Sequence, residues 1–469
     1  MSSEIPAGHV EQHSSERAKQ LMVVLIFAVL VLSVVFYLSY QRFSQISTTG
    51  TEVPQISQPA IAEVPKDAQP KISDFEKSTQ TTNVVLLPGD LEKSHFGFVN
   101  AKQAYSEIHE FGIRWDRPFP GPFSWNVIGY TEFNFDATDD YVKKAQNAGF
   151  ATLAIIWPYN DADQQACHGD YPQLDFRKYT EVATRTGLPC NDDAFAKFIS
   201  ALVERYDGDG VNDMLDLTYP IKYWEVASTP EVQDTGNGER YFTGDGYDYA
   251  KLLSETYDAI KSADAGANVL HGSIADTDGR STLFWNAVYK SNPRFDIVSV
   301  QCTQSCDDEM KIKTYNNIVT KYIGGKPIWV TDVAYVDAAD DDQAKNLFKG
   351  HINAFGSGVQ KVFYDTWRIT GGGKKQLAAL NTQTEKRKSY FALSAVINKV
   401  GALTAAEKIN GGYKFKSQNK EVYAFLSSGE LPLELQGAIS ITDYNGTTKV
   451  RQGAFNLFAG EVPSFVEKI

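Results

Sequence analysis

From His95 onward the chain alternates between two hydrophobic periods. Short apolar, β-branched runs are followed by longer stretches with apolar residues every three to four positions. That alternation predicts a parallel sheet covered by helices. Eight runs read as strands: HFGFV (95–99), GIRWD (112–116), ATLAIIW (151–157), IKYWEVA (221–227), NVLHGSI (268–274), FDIVSVQ (295–301), KPIWVTDV (326–333) and VQKVFYD (359–365). Between them ATDDYVKKAQNAGF, DDAFAKFISALVERY, YDYAKLLSETYDAIKSA and DDQAKNLFKGHINAFGS read as helices, each opening with acidic residues where the helix dipole favours them. Eight such units predict a closed (β/α)8 barrel over 83–400. After Val400 the runs YKFKS, VYAFLSS, AISITDYNG and SFVEK alternate with period two and are broken by Gly, Asn and Pro, which predicts a small β module over 401–469.

The N-terminal part follows neither period. Leu21 to Tyr40 is an uncharged apolar run of 20 residues, enough to cross a hydrocarbon core of about 30 Å as a helix. It exceeds the apolar stretch of a cleaved signal peptide, and no A-x-A-like site follows it. Arg17 and Lys19 before the run against Arg42 after it place residues 1–20 in the cytoplasm and everything beyond Tyr40 outside. Residues 41–82, rich in Ser, Thr, Gln and Pro, read as a flexible linker. The expectation is therefore an α/β chain: one transmembrane helix, then a (β/α)8 TIM barrel with a C-terminal β module, single-pass in the plasma membrane with its large domain extracytoplasmic.

Charge narrows the partners. With 45 Lys and Arg against 58 Asp and Glu the net charge is -13, which argues against binding a phosphate backbone and so against nucleic acid. Four cysteines in an oxidising compartment suit two disulfides. Their order suggests Cys167 with Cys190 and Cys302 with Cys306, although four cysteines allow three pairings and isolated buried thiols are the other reading. No metal or cofactor is expected: no histidine lies near Cys302 or Cys306, and His168 beside Cys167 is a single neighbour. The acidic stretches 234–249 and 337–343 lack EF-hand spacing, and the second reads as a helix N-terminus. Asn445-Gly446-Thr447 fits a glycosylation acceptor but reads more simply as a hairpin turn.

In a (β/α)8 barrel the chemistry sits at the C-terminal strand ends. The fourth run closes as Trp224-Glu225-Val226-Ala227-Ser228-Thr229-Pro230 and the seventh as Pro327-Ile328-Trp329-Val330-Thr331-Asp332-Val333-Ala334-Tyr335. Here the sequence resembles the clan A glycoside hydrolases, most nearly the β-xylosidase and α-iduronidase family, whose fourth strand reads W-E-(I/V)-W-N-E-P and whose seventh reads P-(I/L)-W-(I/V)-T-E-(F/Y)-G-W. The resemblance runs over about 94–467, through GIRWDR, YAKLLSETYDAIKSADAGANVLHGS, KSYFALSAV, ITDYNG and VPSFVEK. It implies a glutamic acid as general acid/base after the fourth strand and a glutamate nucleophile after the seventh.

This chain has neither. Thr229 occupies the acid/base position, and a hydroxyl cannot protonate a leaving glycosidic oxygen near neutral pH. Ser228 replaces the asparagine directed at the sugar. Asp332 replaces the nucleophile, withdrawn by roughly one C–C bond, about 1.5 Å. Gln301-Cys302-Thr303 replaces the family's H-x-Y. Glu231, two residues past the lost acid, and Asp234 beyond it are candidates for a relocated acid. Glu225 is expected about 13 Å below Thr229 in an extended strand, paired with a cation for which Arg114 is the natural choice. The aromatics Trp115, Trp125, Trp157, Tyr159 and Trp367 lie at or beyond strand ends where rings stack on sugars, and Trp367 is the expected platform. Arg114, Trp157, Ser228, Gln301 and Trp367 make up the expected carbohydrate-binding set.

Three functions remain. The first is a membrane-anchored, glycosidase-like protein that binds cell-surface or extracellular glycan without hydrolysing it. The second is an active O-glycosyl hydrolase using Asp332 with a relocated acid such as Glu231. The third is a surface scaffold for a protein partner, which an exposed apolar patch away from the strand ends would favour.

Overall fold

The computed structural model describes residues 89–171, 182–232, 241–275, 279–303, 310, 325–336, 339–369, 377–417 and 420–469. The expected membrane span, the linker, Asp234 and Cys306 lie outside them. Among the described residues no helix is long and apolar enough to cross a membrane.

Each of the eight expected runs contains a strand: β1 (Phe96–Val99), β2 (Trp115–Arg117), β3 (Ala151–Ile156), β4 (Tyr223–Val226), β5 (Asn268–His271), β6 (Val298–Cys302), β7 (Ile328–Val333) and β8 (Lys361–Tyr364). They form one parallel sheet in the order β5-β4-β3-β2-β1-β8-β7-β6. Its two ends, β5 and β6, meet through the single bridges Leu270–Ile297 and Ile274–Val300, so the barrel is nearly closed. Helices cover the outside. Asp192–Glu204 shows why they form: the Asn191 side chain accepts the Ala194 N–H at its start, and Phe195, Phe198, Ile199 and Leu202 bury one stripe against the sheet.

Side-chain alternation divides the strands between the helices and the lumen. Trp115, Ala151, Leu153, Tyr223, Leu270, Ile297, Trp329 and Phe363 form a lumenal cluster together with Leu91 of the short helix Gly89–Glu92, which plugs the floor. Gly97 belongs there by necessity: a Cβ on it would lie 2.2 Å from the Phe363 ring. At the floor lies Lys361, whose ammonium donates to the Glu92 and Ser94 carbonyls at 2.7 and 2.6 Å and lies 4.4 Å from the Trp115 ring centre. Burial pushes this amine down to about 7, opposed by the charge of Glu92.

After the helix Lys388–Val400 come β9 (Leu403–Ile409), β10 (Gly412–Ser417), β11 (Glu421–Phe425), β12 (Gly429–Glu430), β13 (Gly437–Asp443), β14 (Thr448–Ala454), β15 (Asn456–Leu457) and β16 (Ser464–Lys468). Six of them form an antiparallel sheet in the order β14-β13-β16-β11-β10-β9, and β12 pairs with β15. Besides the two-residue pair β12 and β15, the edge strands β9 and β14 are not singled out by the sequence pattern. Both are largely exposed on both faces, so neither carries a clean alternation of apolar and polar residues. Asn445 and Gly446 lie in the turn between β13 and β14, with Gly446 at φ +80°.

Candidate functional site

At the upper end of the lumen β2 and β4 supply the one ion pair whose two side chains are wholly shielded from solvent among the described residues. Arg117 Nε donates to Glu225 Oε2 at 2.7 Å and Nη2 to Oε1 at 3.1 Å. Arg117 Nη2 also reaches Ser228 Oγ at 3.2 Å. Glu225 accepts from Ser299 Oγ at 3.2 Å, and Ser299 Oγ lies 2.8 Å from Thr331 Oγ1. Above them the Gln301 amide donates to Ser228 Oγ at 3.0 Å and Ser273 Oγ at 2.6 Å. Five strands therefore converge on one buried polar network, the arrangement that low dielectric rewards only when its members are paired.

Two of the sequence expectations are corrected here. The partner of Glu225 is Arg117, not Arg114. Strand β2 begins at Trp115 rather than Gly112, so Arg114 enters at the lower end of the barrel, where its Nη1 donates to the His109 and Ile113 carbonyls at 2.6 and 3.0 Å. Its charge adds to burial in holding the His109 imidazole below its ordinary value. Arg114 therefore does not join the mouth. Nor is Glu225 remote from the strand end, because Arg117 touches both Glu225 and Ser228. The extended-strand distance fails because Ala227 and Thr229 take φ of +58° and +44°, which bends the chain over the lumen.

Trp367 is corrected too. Thr366 sits at φ +74°, which turns the following residue out of the lumen. Trp367 is 2% exposed, packs 5.9 Å from outward-facing Phe98 and 5.4 Å from Phe111, and donates its indole N–H to Glu107 at 3.0 Å. It is wall, not platform. Trp115 lies in the floor cluster, Trp125 stacks on Phe198, and Tyr159 is buried. Trp157 is also fully buried, with its indole N–H on the Pro120 carbonyl at 2.7 Å, so none of the five aromatics presents an exposed face. Its neighbours Phe119 and Tyr241, with ring centres 6.1 and 5.4 Å away, complete an aromatic wall that the strand-end inspection overlooks because both residues lie on loops.

Asp332 reaches the same region by a β-bulge. Val300 pairs with Val330 but Gln301 pairs with Asp332, so one extra residue is inserted into β7. Thr331 already contacts lumenal Ser299, and the insertion puts Asp332 in register with lumenal Gln301. Bulges re-aim side chains in this way beside functional sites. Asp332 is 4% exposed and Thr229 7%. Glu231 is held elsewhere: its Oε1 accepts the Ala275 N–H at 2.6 Å, tying the loop after β4 to the loop after β5.

The cysteines divide likewise. Cys167 and Cys190 form a disulfide, at a Cα separation of 5.8 Å. Cys302 is also disulfide-bonded, and its expected partner Cys306 lies outside the described residues.

No protein-family model and no curated protein matches the sequence. Solved structures do resemble the fold. A family 39 glycoside hydrolase from the gut symbiont Bacteroides cellulosilyticus WH2 matches at TM-score 0.55 and 12% identity, over 80% of this chain and 81% of that one. A glucosidase from Croceicoccus marinus matches at 0.52 and 12%, over 80% and 94%. The family 30 subfamily 8 xylanase Xyn30A from Clostridium acetobutylicum matches at 0.51 and 13%, over 80% and 97%. The fold is thus similar to that of these glycoside hydrolase structures. At these identities the likeness speaks for the fold alone.

Proposed function

We propose that this chain is a membrane-anchored, extracytoplasmic protein that binds carbohydrate in a glycosidase-like barrel without hydrolysing it. One observation carries the reading: the position that demands a proton donor holds Thr229, while the nearest carboxylic acid in sequence, Glu231, is engaged by a backbone N–H on the neighbouring loop. Double displacement needs two carboxyl groups about 5 Å apart across the scissile bond. Asp332 supplies one. The Gln301 amide and the rings of half-buried Phe119 and of Tyr241 are groups of the kind that recognise neutral sugars. Carbohydrate is the ligand class that the fold makes most natural, and the anchor is the run Leu21 to Tyr40.

The test is a glycan-array screen of the full chain run beside a panel of aryl glycosides, with Asp332→Ala in parallel. The expected result is binding without turnover. Turnover above background that disappears in Asp332→Ala would establish the second reading, an active hydrolase with a relocated acid. Silence in both assays would move the weight to the scaffold, which Leu433, Phe455 and Phe458, exposed by 81%, 58% and 65% on the C-terminal module, independently favour. Resistance of the chain to alkaline extraction from membranes, lost on removal of residues 1–40, is the expected signature of the anchor.

A further inference from the structure

The sequence sets His168 aside as a lone neighbour of Cys167. The fold does not. Cys190 is brought back from the start of the next helix so that Cys167, His168 and Cys190 offer ligand atoms all within 4.8 Å of one another. Two thiolates and an imidazole are the donor set of zinc and other thiophilic divalent ions, and three protein ligands with an open fourth position suit a tetrahedral ion.

The surroundings are those of a held site. His168 Nε2 donates to the Leu188 carbonyl at 2.9 Å, which fixes the tautomer and leaves Nδ1 with its lone pair, the second-sphere contact usual for a metal-binding histidine. The His168 ring stacks on Tyr171 with centres 4.4 Å apart. Opposite, the buried Asp163 carboxylate accepts the Cys190 and Asn191 N–H groups at 2.8 and 3.0 Å. The Gln164 amide bridges the Gly187 N–H and Leu188 carbonyl at 2.7 and 2.9 Å. The backbones carrying both cysteines are therefore set by hydrogen bonds as well as by the crosslink. Cys167 is exposed and Cys190 half-buried, so a reductant has access. The acidic trio Asp207, Asp209 and Asp213 differs: its carboxylates accept the N–H groups of Gly208, Asp209, Gly210 and Val211.

We propose that the Cys167–Cys190 pair is a redox-gated metal site, closed as a disulfide and opened by a dithiol or phosphine reductant to bind one Zn2+ through Cys167, His168 and Cys190. The chemistry balances. A dithiol is oxidised to its own disulfide, or a phosphine to its oxide with the oxygen and both protons taken from water, as the protein disulfide gains two electrons and two protons. Zn2+ then displaces both thiol protons, so binding strengthens as pH rises. Cys167 and His168 end the helix Asp161–His168 that follows β3, Cys190 stands just before the helix Asp192–Glu204, and none of the three belongs to the mouth network.

The test uses the full chain in a Cys302→Ser/Cys306→Ser background, reduced with a phosphine, freed of excess reagent and titrated with Zn2+ and, as a spectroscopic probe, Co2+. The expected result is one ion per reduced chain, none per oxidised chain, and thiolate-to-cobalt charge-transfer absorption. His168→Ala weakens the affinity by about tenfold or more, and Cys190→Ser removes the charge-transfer intensity contributed by its sulfur. Should that background fail to fold, the same titration on the natural chain with and without His168→Ala reads the same difference. Equal binding by oxidised and reduced chains, no binding by the reduced chain, or affinity unchanged in His168→Ala overturns the proposal.

Discussion

The two ends of the lumen solve the same problem in opposite ways. At the floor the Lys361 ammonium is held by two backbone carbonyls and the faces of Trp115 and Trp329. At the mouth, charge is matched by charge, Arg117 against Glu225, and the surplus polarity is passed through Ser228, Ser273, Ser299, Thr331 and Gln301. Left-handed residues other than glycine occur at both ends, but in the connections entering β4 and β6 they are Asn212, Asp216 and Asn292, types that tolerate that conformation. Ala227, Thr229 and Thr366, all with left-handed backbone, stand where β4 and β8 end at the mouth, with Asn100 after β1. Positions of this kind cost of order 1–3 kcal/mol and persist where the surrounding structure insists on them. The mouth thus combines left-handed backbone with a buried polar network, a pre-organised arrangement that the proposed glycan binding would use.

The largest effect is expected from breaking the mouth's ion pair. Removing one partner leaves the other charged and shielded, so Arg117→Met or Glu225→Leu alone should cost about 3–5 kcal/mol in chemical denaturation. The double substitution should recover most of that loss, because two apolar side chains of similar volume leave no charge behind. A double variant as unstable as the singles would mean that the hydroxyl network, rather than the pair, organises the mouth.

The floor should be more sensitive to pH than to hydrogen-bond loss. Lys361 is lowered to about 7 in the folded chain, against about 10.4 when unfolded. Between these values the unfolded chain holds the proton and the folded chain does not. This group therefore penalises folding in full below about pH 7, and the penalty disappears as pH rises through the unfolded value. Stability should gain a few kcal/mol from pH 7 to 10 on this account, and Lys361→Met should flatten that rise. An unchanged slope in the variant would show that the two carbonyls and the rings hold the charge at no net cost.

How far the sequence foretold these two ends differs as well. Period and composition located all eight barrel strands, because each is a short apolar run buried on both faces. What they could not locate were events of a single residue. A three-residue shift in the start of β2 exchanged Arg114 for Arg117. The bulge in β7 that aims Asp332, and the left-handed Thr366 that turns Trp367 out of the lumen, leave no periodic trace. Both depend on contacts with other strands or helices, so tertiary structure overrides local pattern there. Phe119 and Tyr241 were missed because loops carry no period at all.

The smallest effect is the most pointed. Thr229 is β-branched and held at φ +44°, a conformation that costs non-glycine residues about 1–2 kcal/mol. Glycine removes that cost and gives back about 0.5–1 kcal/mol in unfolded-chain entropy. Thr229→Gly should therefore leave the protein as stable or up to about 1 kcal/mol more stable. Thr331→Gly, three strands round the barrel in β7, should instead be destabilising, since it loses the contact with Ser299 without relieving a left-handed backbone. If Thr229→Gly stabilises the fold while weakening glycan binding, the strain at the mouth is held for the ligand. If it stabilises the fold and leaves binding untouched, the strain at the mouth plays no part in holding the ligand.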